Sequence, residues 1–67
     1  MEFENEKLIE REIEIGNYLM HDLSLKSISE KTGLSKKIIA GHINNMKIKL
    51  KAADVPGLIR ALKAMQL

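Results

Sequence analysis

The 67 residues include no cysteine, so neither a disulfide nor a thiolate metal site can staple this chain. His21 and His42 are its only histidines, too few for a zinc site without help from carboxylates, and no metal or other cofactor is expected. One Tyr and one Phe argue against an aromatic stacking platform for single-stranded nucleic acid. No apolar run approaches the ~20 residues that a membrane span needs. The opening MEFENEKLIE is acidic and polar, unlike a signal peptide, so a cytoplasmic location is expected. A chain this short forms one domain over residues 1–67. It buries a smaller share of its surface than a large domain does, and a second subunit is an expected source of stability.

What is present is charge, unevenly placed. Residues 1–22 carry Lys7 and Arg11 against seven acids, a balance of −5. Residues 23–67 carry nine basic groups against Glu30 and Asp54, a balance of +7. A basic two-thirds behind an acidic first helix suggests a polyanion partner on one side. Two solvated faces that partly neutralise one another would give the same count.

Hydrophobic spacing predicts four helices and no strand. The first runs from about Glu4 to Met20, with an inward stripe of Leu8, Ile9, Glu12, Ile15 and Leu19, closed by His21-Asp22. Ser24 is a good N-cap for the second, in which Leu25, Ile28 and Thr32 line one face and Gly33 ends the helix. Leu34 plugs the turn and Ser35 caps the third helix. Its inward face is Ile39, Ile43, Met46 and Leu50, at spacings of four, three and four. The fourth starts near Asp54, tolerates Pro56 in its first turn, and turns Leu58, Leu62 and Met65 inward. The four methionines are read as core fillers.

Only Gly33-Leu34-Ser35 joins the second and third helices. A tight turn with Gly, an apolar plug and a capping Ser is the local pattern of a helix-turn-helix. On such a turn the later helix protrudes and can enter a DNA major groove. A plain αα-hairpin in a small bundle has the same local pattern.

Read without gaps from Leu8 to Ile59, the chain resembles the LuxR/GerE-type DNA-binding domain. The family's opening, Leu-Thr-x-Arg-Glu-x-Glu-Val, is met by Leu8-Ile9-Glu10-Arg11-Glu12-Ile13-Glu14-Ile15. Its turn and recognition helix, Gly-Ile-Ser-x-x-Thr-Val-x-x-His-x-x-Asn-Ile-x-x-Lys-Leu, align with residues 33–50. Ser35, His42, Asn45, Lys49 and Leu50 fall in register. The resemblance implies an all-α, four-helix (tetrahelical) helix-turn-helix domain and a bacterial, nucleoid-associated transcription regulator. It also implies double-stranded DNA as partner, a recognition helix at about 36–51, and a C-terminal helix at about 55–66 used for dimer contact. The departures lie in the recognition helix and its flanks. Ile38 replaces the usual Thr, Ala40 stands where a charge is frequent, and Gly41 follows it. Asp22 and Lys51 replace frequent glycines, and the loop before the last helix is Ala52-Ala53-Asp54-Val55.

The face of the third helix opposite its apolar stripe holds Lys37, Ala40, Gly41, Asn44 and Lys51, with Ile48 near it. A glycine inside a helix costs ~1 kcal/mol relative to alanine. Small residues would repay that by letting the backbone approach base edges, and Ala40 can touch a thymine methyl. Asn44 can pair with adenine, while lysines at 36, 37, 47, 49 and 51 meet phosphates that position without specifying. The expected DNA-contacting set is therefore Ser35, Lys36, Lys37, Ala40, Gly41, His42, Asn44, Asn45, Lys47, Lys49 and Lys51. His42 is read as a packing or phosphate-contact residue. Weak sequence discrimination and strong salt dependence follow.

On the last helix Leu58, Ile59, Ala61, Leu62 and Met65 make an apolar surface wider than one stripe, and form the expected interface of a homodimer. Two recognition helices would then lie ~34 Å apart, facing a pseudo-palindromic site. Paired carboxylates such as Glu10 and Glu14 sit on a helix surface with no cleft in prospect, which speaks against an enzyme. The competing function is protein binding. Ile38, Ala40, Gly41 and Ile48 can form a groove for another helix, and the 67 residues include no sensor or receiver domain. A small stand-alone member could then bind and sequester another transcription regulator.

Overall fold

A computed structural model describes residues 8–65. Helix α1 spans Glu10–Met20, α2 Leu25–Thr32, α3 Lys36–Leu50 and α4 Val55–Met65. Among the described residues there is no strand, and no helix is long and apolar enough to cross a membrane.

Local hydrogen bonds account for most helix boundaries. Ser24 Oγ accepts the Ser27 N–H at 3.2 Å, Ser35 Oγ accepts the Ile38 N–H at 3.1 Å, and Asp54 Oδ1 accepts the Gly57 N–H at 2.8 Å. Each satisfies a donor that the first turn of a helix leaves without a partner. Gly33, at φ 77°, ends α2 in the left-handed conformation that glycine adopts without a Cβ clash. Thr32 and Ser29 brace the turn. Thr32 Oγ1 donates to the Ile28 carbonyl and accepts the Leu34 N–H, while Ser29 Oγ donates to the Leu34 carbonyl at 2.6 Å. Side chains of α2 thus hold the backbone of the turn that leads into α3.

Helix α1 begins at Glu10 rather than near Glu4; residues 4–7 lie outside the described residues, and Leu8 and Ile9 are not helical. Ile9 has no side-chain acceptor for a cap, and only the return bond is made, its N–H donating to Glu12 Oε1 at 3.3 Å. Ile9 is consequently exposed rather than inward, as is Leu25 at the start of α2.

The core is Ile15, Leu19, Ile28, Ile39, Ile43, Met46, Leu58 and Leu62. Full burial of each such side chain contributes about 1.5–3 kcal/mol. Helix α3 packs against α1, α2 and α4, so it is the common wall of the core. Close approach of α1 to α4 explains Gly16. A Cβ there would lie 3.2 Å from Leu62 Cδ1 and 3.8 Å from Met46 Sδ.

Candidate nucleic-acid interface

The four sides of α3 are covered by the protein to different degrees. The inner side is Ile39, Ile43 and Met46, all buried, with Leu50 half-buried. The outer side carries Lys37, Gly41, Asn44, Asn45 and Ile48, all exposed. Among the described residues nothing lies within 4 Å of a Cβ built on Gly41. The chain's own packing therefore gives no reason for a glycine there, unlike Gly16. Ala40, Lys36 and Lys51 are exposed beside this face, and Ser35 is exposed while its oxygen serves as the cap of α3.

One flank of α3 is polar. Glu12, only 1% exposed, accepts Lys49 Nζ at 2.8 Å and has His42 Nδ1 at 3.8 Å from its other oxygen. A carboxylate withdrawn from water is costly unless a cation or donor faces it. Lys49 and His42, both expected to contact DNA, are drawn to this flank against α1 instead. Lys49 is engaged by Glu12, and the His42 ring is mostly buried, its Nδ1 having no hydrogen-bond partner. The signal for this hub was a carboxylate at position 12 of an otherwise apolar stripe.

The other flank is apolar and open. A cavity of about 280 Å³ lies there, walled by Leu19 at the end of α1 and Ile43, Ala40, Asn44 and Lys47 of α3. Leu25 from the first turn of α2 and Val55 from the first turn of α4 complete it. Lys47 is half-buried in this wall. Spacing along one helix does not reveal that Leu25 and Val55 line one cavity, because they belong to different elements.

The sequence profile of the bacterial regulatory proteins of the luxR family, the GerE domain, matches residues 6–62. The chain belongs to this family. No curated protein and no solved structure matches it. As a luxR-family domain it is a DNA-binding helix-turn-helix transcription regulator, with α2 and α3 as the motif. Seen in this light, the helix that bears the family's resemblance at Ser35, Asn45 and Leu50 is also the one with an uncovered outer side.

On the luxR-family α4, Leu58 and Leu62 are fully buried against the chain's own core. They close the subunit and have no surface left for a dimer contact, which corrects the wider interface expected from sequence. Ile59 and Ala61 are half-buried and Met65 is 45% exposed, so these three remain available. Among the described residues no group of three or more His, Cys, Asp or Glu could hold a metal ion.

Proposed function

We propose that residues 1–67 work as one domain that binds double-stranded DNA in the bacterial cytoplasm as a homodimer, inserting the outer side of α3 into the major groove. The observation that carries this reading is the open space around Gly41, with Ala40 and Asn44 exposed beside it. A bare backbone at the centre of a helix that the fold leaves uncovered suits close approach to base edges. Ala40 meets a thymine methyl and Asn44 an adenine. Lys36, Lys37, Lys47 and Lys51 lie on phosphates, with Ser35 as an additional donor. Lys49 and His42 hold the helix against α1 rather than touching DNA. With few long polar side chains facing the groove, most of the affinity is electrostatic.

Dimer contact falls to Ile59, Ala61 and Met65, the apolar residues of this set that keep some exposure on α4. A two-fold dimer would set its recognition helices ~34 Å apart. Fluorescence anisotropy with duplex DNA at low and moderate salt tests the reading, with sedimentation to fix the subunit count. Binding that weakens steeply with salt is expected; no binding at micromolar protein in low salt would overturn it.

A second reading is favoured by Ile38 and Ile48, which are 50% and 67% exposed on α3. Exposed isoleucines on a recognition helix suit a helix-binding groove better than a phosphate-lined one. In that case the domain forms a mixed dimer with a full-length family regulator in sedimentation and fails to bind duplex.

A further inference from the structure

The cavity beside α3 combines features that a phosphate-binding surface does not need. Its walls are apolar except for the Asn44 amide and Lys47, yet Lys36, Lys37 and Lys51 stand exposed on the same helix. An occupant that presents negative charge and an apolar group side by side would match both the recess, with Lys47 in its wall, and the lysines elsewhere on α3. Duplex DNA does this in one place. The 5-methyl of thymine is the apolar group that base edges show in the major groove, with phosphates on either side. Asn44 stands at the cavity wall, where its amide can pair with adenine. An A·T pair thus offers two matched groups to one small region, the adenine edge to Asn44 and the methyl to the recess. A free apolar helix would fill the recess but leave the lysines without anions.

We propose that Leu25 and Val55, together with Ala40, are specificity-determining residues that form a recess for thymine 5-methyl groups. The domain then prefers thymine-bearing duplex, although neither Leu25 nor Val55 belongs to the recognition helix. This rests on the reading of α3 as a major-groove helix, with Ala40 at a thymine methyl, and adds to it the two residues of α2 and α4 that complete the recess.

The test compares duplexes that differ only in that methyl. Anisotropy titrations use an A·T-rich duplex with dT throughout, and the same duplex with dU in its place. The dU duplex binds more weakly, by about fourfold for each methyl the recess takes up. In a G·C-rich duplex, 5-methyl-dC in place of dC strengthens binding by a similar factor. Leu25→Ser and Val55→Ser each bring the dT/dU ratio toward one. Both side chains are more than a third exposed, so the helices persist, as circular dichroism checks. Equal binding of the dT and dU duplexes, each at good affinity, overturns the recess and leaves the DNA reading intact. A dT/dU ratio unchanged in both serine variants also overturns it. Failure of both duplexes to bind in low salt removes the DNA reading and the recess together, and the cavity is then a protein-docking surface.

Discussion

The two flanks of α3 solve different problems. On one, Glu12 is buried and Lys49 lies 2.8 Å away, so a charge-assisted hydrogen bond crosses between helices far apart in the chain. Such a pair accepts little variation in distance, and it ties the last turn of α3 to the first turn of α1. On the other, Leu19 and Ile43 are buried, but Leu25 and Val55 stop short of closing over them. Contacts there are non-directional, so space can remain. The comparison teaches that a recognition helix needs to be clamped on only one side. The clamp takes Lys49 and His42, which the sequence alone had placed among the expected DNA contacts.

The largest expected effect comes from breaking the clamp. Lys49→Met leaves Glu12 buried with the Ile9 N–H as its hydrogen-bond donor and His42 Nδ1 at 3.8 Å, and costs about 3 kcal/mol in urea unfolding. Adding Glu12→Leu in the same chain restores most of that loss, because a well-packed apolar pair can replace a buried ion pair. If the double variant is as unstable as the single, the clamp is not an isolated pair.

The glycines give a smaller, comparative effect. Gly41→Ala stabilises by up to about 1 kcal/mol, since a methyl meets nothing there and alanine is the better helix former. Gly16→Ala fails to show that gain, because its Cβ would press on Leu62 at 3.2 Å. Thermal melts of the two variants should therefore separate, with Gly41→Ala the higher. Gly41→Ala should also weaken duplex binding if the backbone approaches base edges, so stability and affinity would move in opposite directions.

The smallest effects are at single lysines. Lys37→Glu should leave the melting curve almost unchanged and reduce the magnitude of the salt slope of duplex binding by about one. Lys47→Glu should weaken binding too. A slope unaffected at Lys37 would mean that the outer side of α3 does not lie along phosphates.

Much of the fold was legible because its signals are local. Ser24, Ser35, Asp54 and Gly33 mark helix ends through hydrogen bonds or backbone angles spanning a few residues, and each behaves as its chemistry demands. Ile39, Ile43 and Met46 share one side of a helix by periodicity alone. The start of α1 was read too early because an apolar stripe continues past it. Ile9 fits that spacing, yet no element covers it.

Residue types and their spacing were enough to establish four helices, a tight turn before a protruding one, and a lysine-rich helix with a small-residue centre. They could not apportion the lysines, since Lys37 and Lys49 are equivalent until Glu12 arrives from another helix to claim one of them. Nor could they separate Leu58 and Leu62 from Met65, which share an apolar stripe but not a neighbour. Leu25 and Val55 came to line one cavity only when α2 and α4 packed against α3. Caps and periodicity act within one or two turns of a helix. Burial and ion pairing depend on which distant segment comes to lie alongside, and that is decided by the packing of the whole chain.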